Sequence, residues 1–144
     1  MISKTKSFIK LFKFLFCCKF PRLKKVYKHI SYRDLENKIA ELNFAIILDF
    51  WYQQIKESDW DWTELEDRKN FYKWIKNTVE YIENERPLLL NKIKLSLDEA
   101  SSHKEVSKDT IKLYREYREL NIELQEKDNS IITELLKYRN YFWA

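Results

Sequence analysis

The residues in this chain that could do chemistry are carboxylates. Asp49 lies inside an otherwise apolar stretch, Phe44 to Tyr52. Burial disfavours the charged form of a carboxylate, and a group shifted in this way can give or take a proton. Acid–base work needs a second titratable group, and no histidine lies near Asp49 in sequence. A tyrosine or lysine partner would account for the residue without catalysis. Glu116, Glu119, Glu123 and Glu126 form a second set, spaced to share one face of a helix. Di-metal bundles use such rows together with a Glu-x-x-His element, which this chain lacks. A solvated helix face is the simpler reading.

A third set, Asp59, Asp61 and Thr63, resembles the opening of a calcium-binding EF-hand loop. That loop needs glycine at its sixth position and a bidentate glutamate at its twelfth. Here those positions are Glu64 and Asn70, so calcium is excluded. The chain contains no glycine, which also excludes the glycine-rich loops that cradle nucleotide phosphates. His103 stands alone in a polar stretch, and His29 follows Arg22 with six residues between. That spacing is similar to the Arg-x(4–6)-His element of HEPN-type ribonucleases. In that family the element lies on a bundle helix and the arginine is usually followed by a polar residue. Here Leu23 follows, and the pair lies in a basic arm. A small helical nuclease would rest on this spacing alone. The expectation is therefore no catalytic residue, no metal and no cofactor.

Charge distribution is more informative. Nine of the 27 basic residues, and none of the 23 acidic ones, fall in the first 29 positions. An arm of +9 is thus joined to a body of −5, for +4 overall. On a helical wheel Lys6, Lys10, Lys13 and Cys17 form one narrow stripe. Phe8, Ile9, Leu11, Phe12, Leu15 and Phe16 cover the opposite face. Lys19 lands amid that apolar face and Phe20 precedes Pro21, so the helix should end near Cys18. Each basic residue near an anionic membrane contributes about 1 kcal/mol, and each fully buried large apolar side chain about 1.5–3 kcal/mol. The expected membrane-binding residues are Lys6, Phe8, Ile9, Lys10, Phe12, Lys13, Leu15, Phe16 and Lys19. Beside this reading stand three alternatives: the helix packs its apolar face onto the body or a partner, the arm binds nucleic acid, or it is a basic, acid-poor mitochondrial transit peptide. The arm has no acidic residue to pair its lysines, which favours an anionic surface. Adjacent Cys17 and Cys18 have Cα atoms about 3.8 Å apart, too close for an ordinary disulfide. They read as small apolar residues in a seam, or as S-acylation sites reinforcing the arm.

No run approaches the roughly 20 apolar residues of a transmembrane helix. The longest charge-free run in the arm is Phe14 to Cys18, and Leu42 to Leu48 is stopped by Asp49. A cytoplasmic protein, peripherally associated with a membrane, is expected. From Glu57 to Asp67 there are six acids, no base, and two tryptophans. Asp59, Trp60, Asp61 and Trp62 would make a docking patch for a basic partner. The simpler explanation is helix-start acids complementing the macrodipole, with the tryptophans covering a bundle end.

The elements that position these residues read as helices throughout. Absent glycine and only two prolines argue against folds rich in tight turns. The expected class is all-α: an elongated antiparallel helical bundle, coiled-coil-like in part. A basic amphipathic arm (1–30) would precede a bundle domain (31–144). One helix should follow a capping box at Ser31, carry Leu35, Ile39, Leu42, Ile46 and Phe50, and end near Lys56. Another should follow a capping box at Thr63, with Leu65, Tyr72, Ile75, Val79 and Ile82 in register. Pro87 should either kink that helix or open the next, which carries Leu89, Ile93, Leu97 and Ala100. The last helix should span about 109–142 with a stripe of Leu113, Tyr117, Leu120, Leu124, Ile131, Leu135, Tyr138 and Phe142. Lys127 interrupts the stripe, and Asp128-Asn129-Ser130 should bend it. Leu120 and Leu124 should lie against the second or third helix. Such a helix would be about 50 Å long, longer than a compact body of this size covers. With Tyr141, Phe142 and Trp143 at its end, it suggests a homodimer or a protein partner.

Overall fold

The structure is a computed structural model and describes residues 21–28, 35–58, 61–103 and 107–142. Among them there is no strand, and the chain is all-α. In order the elements are α1 (Pro21–Lys28), α2 (Leu35–Phe50) running into a wide π turn (Trp51–Ile55), and α3 (Glu66–Glu80) running into a second π turn (Tyr81–Glu85). They continue with α4 (Arg86–Ser102), α5 (Lys108–Lys137) and the single-turn α6 (Arg139–Phe142). Contacts gather the chain into two compact units, residues 1–76 and 77–144. The amphipathic segment from Lys6 to Lys19, Cys17, Cys18, His29, the Ser31 capping box, Asp59, Trp60 and Trp143 lie outside the described residues.

In the first unit, α1 opens on Pro21. The first helical position suits proline, because its N–H would have no intrahelical acceptor there. α1 buries Leu23 and packs against α2. The middle of α2 is apolar on all sides, and Phe44, Ala45, Ile47, Asp49 and Phe50 are all buried. The expected stripe holds at Phe50, which is buried, but not at Ile39, which is 45% exposed, and the buried face also takes in Phe44, Ala45 and Ile47. A segment apolar all round carries no period from which its phase can be read. Phe71 and Ile75 of α3 are wholly buried. Phe50 meets the rings of Trp62 and Phe71 edge-on at 6.1 and 5.9 Å, a favoured aromatic geometry. The capping box expected at Thr63 does not form. The Thr63 hydroxyl donates to the Asp61 carboxylate instead, α3 begins at Glu66, and Leu65 is exposed.

In the second unit, Pro87 lies in the first turn of α4 but opens no separate helix, because helical backbone continues unbroken from Glu66 through the π turn to Ser102. Its ring would clash with the carbonyl four residues back, and it offers no N–H. The turn before it is widened, so that the Arg86 N–H bonds the Tyr81 carbonyl. α4 and α5 form an antiparallel hairpin: contacts step from Ser96 with Leu113 to Arg86 with Asp128. Ser107 caps α5, its hydroxyl accepting from the Thr110 N–H at 3.2 Å. Such a cap stabilises a helix by about 1 kcal/mol.

Leu89, Ile93, Ser96 and Ala100 are the buried row of α4. Leu97, expected in that row, is 36% exposed; the smaller Ser96 replaces it and donates to the Leu113 carbonyl at 3.4 Å. The α5 stripe stands as expected, with Leu113, Tyr117, Leu120, Leu124 and Ile131 half-buried and Leu135 buried. Leu120 and Leu124, expected against the second or third helix, belong instead to a helix that packs on α4. Asp128-Asn129-Ser130, the site of the expected bend, do not break the helix. α5 is one helix of 30 residues, about 45 Å long, and breaks only at Tyr138. Asp128 does not interrupt the stripe because it is itself buried within it.

Candidate functional site

Each unit buries one carboxylate, Asp49 in the first and Asp128 in the second, and these are the only buried charged side chains among the described residues. Asp49 is fully buried on α2. The backbone N–H groups of Arg22 and Leu23 each donate to its Oδ2 at 3.0 Å. The Arg22 guanidinium donates to Oδ1 at 3.2 Å. Those two N–H groups belong to the first turn of α1, where no intrahelical acceptor exists. Asp49 is therefore the N-terminal cap of α1, supplied from 27 residues away. It also meets the positive end of the helix dipole. The same guanidinium lies 4.4 Å from the centre of the Tyr52 ring, and Lys56 Nζ lies 4.9 Å from it. Both cations face the negative π surface.

Asp128 is the counterpart on α5. Tyr81 Oη donates to its Oδ1 at 2.8 Å. Arg86 forks onto it, with Nε and Nη2 each donating to Oδ2 at 3.1 Å. Arg86 and Asp128 side chains are only 16% and 10% exposed, and fork geometry is the strong form of such a pair. Burial first, and the bond to Asp128 second, push the Tyr81 hydroxyl far above the usual phenol range. Tyr81 is thus a fixed donor and not a base. Lys127 borders the cluster, pairing with Glu123 at 3.0 Å and lying 5.9 Å from the Tyr81 ring centre.

Chemically, both clusters are closed. Each carboxylate meets donors at both oxygens, so neither presents a free edge to a substrate. Buried polar groups satisfied in this way position the elements that carry them. Asp49 fastens α1 to α2; Asp128 fastens the π turn and the start of α4 to α5.

The other sequence candidates are dispersed. Asp61 is exposed, and Thr63, through its hydroxyl and N–H, holds its carboxyl below the usual range. Trp62 is half-buried, with its ring against Phe50 and Phe71. Its Nε1 is buried and has no acceptor among the described residues. Phe142 is buried and Tyr141 half-buried, 6.2 Å from the Tyr138 ring. Asp61 and Trp62 belong to the first unit, Tyr141 and Phe142 to the second. Glu116, Glu119, Glu123 and Glu126 are all exposed. No group of side chains able to hold a metal ion occurs among the described residues. Arg22 is engaged with Asp49, and His29 lies outside the described residues. No helix among the described residues is long and apolar enough to cross a membrane.

Sequence reasoning missed Tyr81, Arg86 and Asp128 as a set. One signal was present: Asp128 stands four residues after Leu124 and three before Ile131, a core position by spacing.

No protein-family model matches the chain, and no curated protein or solved structure matches it either.

Proposed function

We propose that this is a non-catalytic helical interaction protein, an adaptor, inhibitor or immunity-type binding protein. It docks peripherally on an anionic, cytoplasmic membrane surface through its N-terminal helix. One observation carries the reading: nine basic residues and no acidic one in the first 29 positions, interleaved with phenylalanines. The structure lends support from the other side. Its two buried carboxylates are occupied in holding helices together, which suits a scaffold.

Flotation with anionic and with neutral liposomes tests this. Full-length protein should float with anionic vesicles only. Phe12→Glu should reduce flotation even at low salt, because it removes apolar insertion and adds a repelled charge. Replacing Lys6, Lys10 and Lys13 by glutamine should remove mainly a salt-sensitive contribution. Deletion should stop at residue 20. Cutting to residue 30 would also remove Arg22 and Leu23, the donors to buried Asp49. Failure to bind anionic vesicles at low salt, with a gel shift of single-stranded oligonucleotide, would transfer the arm to nucleic acid.

A further inference from the structure

α4 carries two rows at coiled-coil spacing, one residue apart. The buried row is Leu89, Ile93, Ser96 and Ala100, against α5. The row one residue earlier is Leu88, Lys92, Leu95 and Glu99, and all four are exposed. Leu88 is 65% and Leu95 58% exposed, among the highest values for large apolar side chains in the described residues. Lys92 and Glu99, which flank Leu95, make no ion pair among the described residues. This second row has the sequence of a seam without an occupant among the described residues.

We propose that the occupant is a second copy of the chain, with the two α4 helices packed antiparallel about a two-fold axis near Leu95. Charge order selects this occupant. Lys92 and Lys94 lie before Leu95, and Asp98 and Glu99 after it. A helix with basic residues on one side of its midpoint and acidic ones on the other complements its own reverse. The antiparallel arrangement brings Lys92 of each copy beside Glu99 of the other, twice by symmetry. It also stacks Leu95 on Leu95 at the axis. A parallel pair would set Lys92 against Lys92. The contact is isologous and therefore closes at two copies. It is also small: α4 has 17 residues, about 25 Å of helix. One face of it falls short of the roughly 800 Å² per partner of a standard interface. The dimer is accordingly weak, and it exchanges. This surface is distinct from the α5 stripe, which is occupied by α4 of the same chain.

Sedimentation equilibrium of the full chain, up to high micromolar concentration, reads the association directly. Wild type should show a reversible monomer–dimer equilibrium. Lys92→Glu and Glu99→Lys should each weaken it by about tenfold, since each single swap replaces two attractive pairs by two repulsive ones. The double variant Lys92→Glu/Glu99→Lys should return to within about threefold of wild type, and Leu95→Asp should be monomeric. All three positions are exposed, so circular dichroism should be unchanged in every variant. A wild type that stays monomeric overturns the proposal. So does a dimer indifferent to Leu95→Asp, or a double swap that fails to rescue.

Discussion

Replacing Asp49 by alanine should detach α1 from the body, and the cost can be apportioned from the contacts. The substitution removes two backbone N–H caps and one guanidinium pair. A helix cap is worth about 1 kcal/mol, and two buried backbone donors left without an acceptor bring the loss to about 2 kcal/mol. The Arg22 side chain is 41% exposed, so water recovers most of its pairing energy and the guanidinium adds only about 0.5–1 kcal/mol. Asp49→Ala should therefore cost about 2–3 kcal/mol. Arg22→Ala, which keeps the backbone donors in place, should cost about 0.5–1 kcal/mol. Urea unfolding followed by tryptophan fluorescence is the assay, because Trp51 and Trp62 lie in the same unit. A double-mutant cycle isolates the ion pair. If Arg22→Ala proves as costly as Asp49→Ala, the carboxylate acts as a counter-ion to the guanidinium and not as a cap on α1.

In the hairpin, Asp128→Ala strands a mostly buried Arg86 and should cost about 3–5 kcal/mol in urea, with most of it recovered when Tyr81→Phe and Arg86→Leu are added. Tyr81 keeps its proton in the folded chain beyond the pH at which a free phenol, near about 10, loses it. Its contribution is thus complete below that pH and falls as pH rises through it. The stability gap between wild type and Tyr81→Phe should begin to narrow near about pH 10 and go on narrowing above it, and a constant gap across that range would contradict this. Leu124→Asp places a carboxylate in the half-buried α5 seam and should cost about 2–3 kcal/mol; a melting temperature left unchanged would mean that the seam lies elsewhere.

Periodicity makes the helices legible, and above all the long stripe from Leu113 to Phe142, because a 3.6-residue repeat over many turns has one interpretation. It fails where polarity and position conflict. Ser96 and Asp128 occupy seam positions as polar residues, so spacing and polarity together favour Leu97 over the first and a bend at the second. What makes each acceptable in a core is a partner on another element, the Leu113 carbonyl for one and Tyr81 with Arg86 for the other. Asp49 is visible in the sequence as an anomaly, but its role is not. The donors it serves are backbone groups near residue 22, and every residue except proline has a backbone N–H. Pro87 announces a disturbance, while the widened turn ahead of it follows from geometry that residue types do not encode.

The placement of Asp128 also settles how the hairpin is indexed. A seam of leucines and isoleucines is nearly degenerate: moved by one heptad, about 10 Å along the axis, apolar residues meet apolar residues again. Here such a slip would bring Asn121 or Leu135 to Tyr81 and Arg86, and would take the Asp128 carboxylate away from both of its donors. The shifted pairing loses a forked ion pair and buries a bare charge, a penalty of several kcal/mol that apolar contacts alone would not impose. A single aspartate thus acts as a key in the α4–α5 seam and leaves the two helices one alignment.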